Sequence, residues 1–516
     1  MRCLLFLLLL VLPVGALTPE QVAVVYNAAS PLSRECAETY ASLRRIPASH
    51  VVGLEGLKAK GGSISRSEYD SLIVEPLLRR AVLEDWQWPA APAGRGAHRM
   101  LAMVLMPDMP LSVREQVARP APKKPDGTPD YRVQVPQDSA AVDSELALLG
   151  AAYQLTGALN NPYFKKDAPL EKGLPPVLAV CRIDGPDTAT VRRMIQDPVR
   201  VEKKGLWGWT VVDEGGPYAE GDKQFKGVAE LAKKLGQPLF HETSKQTLAP
   251  NFPLMAHTAA YFGWYEYTAN GPFARTAPQS FTFEPGAVAC HLHSFSCPDI
   301  KNPVFWAPAL LARGAAVTTG NVNEPLLSGC LELSVFYDRL TKGYTVAEAG
   351  LMAMPTLSWQ AIVLGDPLYR PYAVMKAGKG DTSNPYVAWA RMLKAAAGNT
   401  LRVEEAVKKQ LNGRGAAFYA EMYAWDCTHR GNLRQAADYF RMAAAASAAP
   451  QDKIRQKLLQ ITVLYVSGDT RTASELMHQC LEEYDYSPYF PAVEATAATV
   501  LKAEGWKPAK KDKSGK

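Results

Sequence analysis

After its first residues the chain lacks any long apolar run, which excludes a polytopic helical membrane protein. The leader MRCLLFLLLLVLPVGALTPE holds the continuous apolar stretch, and that stretch is shorter than the roughly 20 residues needed to span a bilayer. Cysteine is scarce, 8 in 516 residues, too few and too scattered for a disulfide framework. Histidine is equally scarce at 8, and no Cys–His set stands at a zinc spacing, so neither metal nor cofactor is expected. A basic face is missing too. The net charge is +6, but the tail KPAKKDKSGK sets five Lys against one Asp. The remainder is near neutral, which excludes a nucleic-acid partner. No G-x-S-x-G elbow is present either, so a serine hydrolase of that type is not indicated.

What is present begins with the leader. One Arg, an apolar core and Val14-Gly15-Ala16 fit a signal peptide over residues 1–16, cleaved before Leu17. A retained anchor is the alternative. The expected mature protein is exported and soluble, in the periplasm or at the cell surface, with no membrane span. Cys36, Cys181, Cys290, Cys297, Cys330, Cys427 and Cys480 would remain, mostly in apolar runs as small core residues.

Strand and helix patterns alternate over 17–375. QVAVVYN reads as a buried strand, and Ser30-Pro31 caps and opens a helix that stops before Pro47. His50–Leu54 is the next strand, Glu68–Leu83 a helix kinked at Pro76, Met100–Met106 a strand, Ala140–Leu155 a helix, and Pro176–Val180 a strand. Such alternation predicts an α/β domain with a mostly parallel sheet sandwiched by helices. Trp88–His98 and Ala118–Tyr131 read as surface loops rich in Pro and Gly, the second long enough for a lid. The segment 376–385, KAGKGDTSNP, reads as a linker to an all-α module over 386–506, with a basic disordered tail at 507–516.

The module contains a repeat. GNLRQAADYFRMA and GDTRTASELMHQC share small residues at Ala436 and Ala473, large ones at Phe440 and Met477, and small ones at Ala443 and Cys480. Small–large–small at these offsets is the pattern of a tetratricopeptide-like helical repeat, a candidate protein-partner surface.

Polar residues cluster between Ala259 and Pro371, where apolar runs end. Strand ends of an α/β sheet line the crevice in which ligands bind. PGAVACHLHSFSC places His291 and His293 on one face of a strand. One is expected to be a hydrogen-bonded core residue and the other to reach the crevice. Asn321 and Glu324 follow the strand AAVTT, and Asp366 follows IVL. Candidate catalytic residues are therefore His291, His293, Glu324 and Asp366. Candidate binding residues are Trp264, Tyr265, Ser294 and Asn321. All are expected at the carboxyl edge of one sheet. Thr345-x-x-Glu348 is a capping box with a structural role.

The blocks YFGWYEYTANGPF, GAVACHLHSFS, GNVNEP, LSWQ and GDPLYRP, preceded by VVYN, ETYASLRRIP, VDSELALL and RIDGP, resemble an uncharacterised family of exported bacterial proteins. Its members occur mainly in species with exosortase-type protein sorting. The resemblance covers roughly Leu17 to Tyr372 and implies an envelope context. GYTVAEAG and LGDPLYRP are also similar to gingipain-like cysteine peptidases, which implies a caspase-like sheet. Trp264 stands where that family places its catalytic histidine, and Cys290 lies inside its strand. The resemblance thus implies a degenerate dyad. Two functions follow: a binding protein for a peptide, protein or glycan ligand, or a peptidase-like hydrolase using a crevice histidine with an acid.

Overall fold

The computed structural model describes residues 17–508 apart from 88–97, 115–123, 129–138, 152–156, 171–176, 244–247, 249–255 and 278–280. The expected signal peptide, most of the Trp88–His98 loop, most of the Ala118–Tyr131 loop and most of the basic tail lie outside the described residues. The principal strands are β1 Val22–Asn27, β2 Val51–Leu54, β3 Ala102–Leu105, β4 Ala179–Arg182, β5 Trp209–Asp213, β6 Leu239–Glu242, β7 Thr258–Gly263, β8 Phe283–His291, β9 Thr318–Asn321 and β10 Ala361–Leu364. They form a mainly parallel mixed α/β architecture in two compact units. One comprises residues up to Lys203 with Leu292–Lys301 and Ala316–Lys376; the other comprises Lys204–His291, Asn302–Ala315 and the chain from Ala377 onward.

The first unit carries a six-stranded sheet in the order β9-β10-β4-β3-β1-β2. All neighbours are parallel except β9 and β10. Strands such as AMVL are apolar throughout and fully buried, as a sheet covered on both faces requires. Helix α1, Pro31–Arg44, starts as its sequence dictates: Ser30 accepts a hydrogen bond from the Ser33 amide and Pro31 takes the first turn. The helix over 66–83 widens into a π turn at Asp70–Val74, just before Pro76. That widening lets the helix continue around a residue without an N–H. The expected helix over Ala140–Leu155 is shorter, Val142–Leu146, after a two-residue strand at Ala140–Ala141. β4 starts three residues later than the strand expected from Pro176.

The second unit has its own four-stranded, all-parallel sheet, ordered β6-β5-β7-β8. In each sheet the first strand is internal, and its successors lie on opposite sides of it. The strand order therefore reverses between β1 and β3, and again between β5 and β7, the places where open α/β sheets bind ligands. Helices α2 Thr188–Val201, α3 Ala219–Leu235 and α4 Trp306–Ala312 are followed by α5 Pro385–Ala396, α6 Thr400–Gln410, α7 Ala416–His429, α8 Leu433–Ala446, α9 Pro450–Val466, α10 Thr470–Glu483 and α11 Phe490–Val500. Among the described residues no helix is long and apolar enough to cross a membrane.

The expected division at 376–385 meets a different partition. Trp389, Val403, Tyr423, Trp425 and Phe440 of the helices share one apolar cluster with Trp209, Val211, Tyr261 and Ala289 of the second sheet. The physical reason is that these aromatic side chains need a second layer, and the sheet's outer face supplies it. A second cluster, from Ile454 to Leu501, belongs to α9–α11 alone.

Candidate functional site

The carboxyl edge of the second sheet is built by three short segments. β5 ends in Asp213 and runs through Glu214-Gly215-Gly216-Pro217 into Tyr218, the residue before α3. β6 ends in Glu242, which lies opposite Asp213 in the ladder. β7 ends in Gly263 and leads to Trp264, Tyr265 and Glu266.

Trp264 is the pillar of this edge. Its ring stacks on Phe225 at 5.5 Å, and a methyl on Gly221 or Gly216 would meet it at 1.7 or 2.1 Å. Its indole N–H donates to Asp222 Oδ1 at 3.0 Å, which also accepts from the Gly215 and Gly216 amides. Trp264 is 4% exposed, so it supports the surface rather than offering a face. The aromatic surface belongs to Tyr218, Tyr265 and Tyr267, which are 49%, 41% and 54% exposed. Tyr218 and Tyr265 meet edge to face at 5.8 Å.

Asp213, the last residue of β5, is buried and receives the Tyr261 hydroxyl at 3.4 Å. Burial, then the neighbouring Glu242 carboxylate, pushes its carboxyl up to about 8. Asp213 thus holds its proton at neutral pH. Glu214 is paired with His241 Nε2 at 2.8 Å.

His291 closes β8 as a packed residue. Its ring lies flat on Trp306 at 3.4 Å, and its Nε2 accepts from the Glu266 amide at 3.2 Å. Trp306 in turn donates to the Glu266 carbonyl at 2.7 Å. A nitrogen engaged as an acceptor for a backbone amide is not poised to take a substrate proton.

In the first unit the structure brings together His293, Ser294, Asn321 and Glu324. Asn321 Nδ2 donates to the His293 carbonyl at 2.9 Å, and the Ser294 hydroxyl donates to Glu324 at 2.5 Å. The Phe295 amide reaches the Asn323 carbonyl and the Cys297 amide the Asn321 carbonyl, so these contacts clasp two loops. The His293 ring contacts the Ser294 carbonyl, not the Ser294 hydroxyl.

Asp366 is set apart. Asn321 pairs with Ala361, the first residue of β10, whereas Asp366 follows Leu364, the last. Because β9 is antiparallel, its carboxyl end lies at the amino end of the strands beside it, which corrects the expectation of one shared edge. Asp366 is fully buried against Tyr40 and Arg44 as an internal ion pair. All seven described cysteines are buried, and none of them is in a disulfide. Burial drives the Cys330 thiol up to about 12 and the Cys297 thiol higher, so neither supplies a thiolate.

Asp213, Glu242 and Tyr218 were not singled out from the sequence. The signal was available, since WTVVDEGGPY is an apolar strand that ends in acids, glycines and an aromatic. No family model matches the chain, and no curated protein matches it. A solved structure described as "Structure of Protease" is similar over 69% of this chain and 79% of its own, with 10% identity and a TM-score of 0.37.

Proposed function

We propose that this chain is an exported envelope protein that binds a neutral glycan-like ligand at the carboxyl edge of its four-stranded sheet. Its helical, tetratricopeptide-like region would present a surface to a protein partner. The observation that carries the ligand assignment is that exposed tyrosines and a buried, protonated carboxyl stand at the strand ends beside a point of strand-order reversal. Tyrosine rings stack on the apolar face of a sugar while their hydroxyls stay wet, and convergent polar groups fix its orientation. The leader sequence and the resemblance to exported proteins of exosortase-bearing species support the compartment. The caspase-like description of residues 17–375 rests on a resemblance to gingipain-like cysteine peptidases. A cysteine-peptidase role is disfavoured by the buried thiols.

The alternative is a hydrolase. For it the favourable observation is Asp213, whose carboxyl is pushed up to about 8 by burial and then by Glu242, opposite it in the ladder, as a general acid requires. The test is titration calorimetry of the full chain against a panel of neutral oligosaccharides. Binding should weaken at least about tenfold in Tyr265→Ala and Tyr218→Ala. Absence of binding across the panel, or binding indifferent to both substitutions, would sink the reading. Turnover of a bound glycan, lost in Asp213→Asn, would promote the hydrolase.

A further inference from the structure

The first unit has its own point of strand-order reversal, between β1 and β3, and the chain has placed one of its own side chains there. β1 ends in Asn27, β3 is followed by Asp108, and β4 by Asp184. Asn27 Nδ2 holds the Asp108 carbonyl at 2.9 Å, and the Ser30 hydroxyl donates to Asp108 Oδ2 at 2.6 Å. Asp184 accepts from the Gly185 amide at 2.8 Å and from the Asp108 amide at 3.3 Å. Asp108 turns its other oxygen, Oδ1, toward a common point with Asp184 Oδ1, the oxygen that also accepts from the Gly185 amide. The ammonium of Lys301 occupies it, 2.6 Å from Asp184 Oδ1 and 3.2 Å from Asp108 Oδ1.

Lys301 does not come from the sheet. It ends the excursion Leu292–Lys301, whose earlier part is clasped through the Ser296 hydroxyl and the Cys297 amide to Asn321. The ammonium is therefore delivered from a separate segment into a cradle that β1, β3 and β4 complete by themselves. We infer that this cradle is a recognition site for a primary alkylammonium group and that Lys301 is its tethered occupant, which an incoming amine displaces.

Charge supports the assignment. Asp184 is 1% exposed, and burial raises its carboxyl above the usual range. Burial also pulls the Lys301 ammonium down, but Asp184 and Asp108 outweigh that and hold it charged. Without an ammonium in the cradle, burial is opposed mainly by the charge of Arg182, and Asp184 takes up a proton. Loading an amine should then release it. Lys301 itself keeps 37% of its side chain exposed, so its departure needs no opening of the core.

The experiment uses the full chain carrying Lys301→Ala, with Lys301→Gln as a second variant, and two probes: n-butylamine and the blocked tripeptide Ac-Gly-Lys-Gly-NH2. The expected result is a rise in melting temperature of the variant with either probe, at concentrations that leave the wild type unmoved. Binding should be accompanied by proton release, read as a buffer-dependent calorimetric heat. Asp184→Asn in the Lys301→Ala background should abolish the response. A tripeptide that binds at least about tenfold more tightly than n-butylamine identifies the amine as a polypeptide lysine, while equal binding identifies a free amine. A folded variant that ignores both probes overturns the inference, as does a response that survives Asp184→Asn. Failure of both Lys301 variants to fold also overturns it, because Lys301 would then be a structural bridge.

Discussion

At the scale of single residues, what separates a packed side chain from a working one is whether its polar atoms are already engaged. His291 has its ring on Trp306 and its Nε2 on a backbone amide, so His291→Ala should lower stability by about 2–4 kcal/mol through the lost stack and the cavity left behind. A melting temperature unchanged by that substitution would return His291 to the candidate catalytic residues. Asp213 makes a prediction in pH. Its carboxyl, at about 8 in the folded chain, lies near 4 when unfolded. Between these values the folded state binds more protons than the unfolded, so stability falls as pH rises from about 4 to about 8 and then levels off. Asp213→Asn removes that fall and should stabilise the protein at pH 8 by on the order of 3 kcal/mol. Melting curves across this range that stay parallel for the two proteins would contradict the buried, protonated assignment. The thiols predict an absence: alkylation near neutral pH should be slow until the chain unfolds, because the described cysteines are all buried. Rapid labelling of one thiol in the folded chain would mean an exposed, activated cysteine.

Among the elements, close approach is the recurring device. Gly221 lies on α3 where the Trp264 ring leaves no room for a methyl group, so Gly221→Ala should cost at least about 1–3 kcal/mol by overpacking. It should also perturb Tyr265 next to the indole, readable as a change in tyrosine fluorescence or ligand affinity. In the helical region Ala436, Ala443 and Ala473 are fully buried, and a Leu at any of them should carry a similar penalty. These alanines were legible in the sequence, because small and large residues recur at fixed offsets. Two helix starts were legible for a local reason too: Ser30 and Thr345 each cap the helix that follows. The site was only partly legible. The run before Asn321 has the same composition whichever way it pairs, and its antiparallel direction is set by β10, so Asn321 and Asp366 went to opposite ends of a strand. The role of Trp264 was hidden likewise, since the glycines that make space for its ring come from a different segment of the chain.

For the whole molecule the decisive question is which parts can fold alone, and apolar clusters answer it better than linker composition. The glycine- and lysine-rich segment at 376–385 reads as a boundary. Yet Trp389 of α5 and Trp425 of α7 lie in the same cluster as Trp209 and Tyr261 of the second sheet. Trp425 meets Trp209 edge to face at 5.6 Å and Phe240 at 5.5 Å. A fragment beginning at Asn384 would keep the α9–α11 cluster and the buried ion pair of Arg455 with Glu421, which joins α9 to α7 at 2.7 Å. It would lose the sheet face that covers its aromatic side chains, and each large aromatic returned to water forfeits a few kcal/mol. The fragment should therefore be helical by circular dichroism but bind a hydrophobic dye and melt over a broad range, as a chain with secondary structure and incomplete packing does. A fragment that melts sharply and binds no dye would establish the helical region as an independent module. Its interaction with the second sheet would then be a docking of finished domains rather than one core.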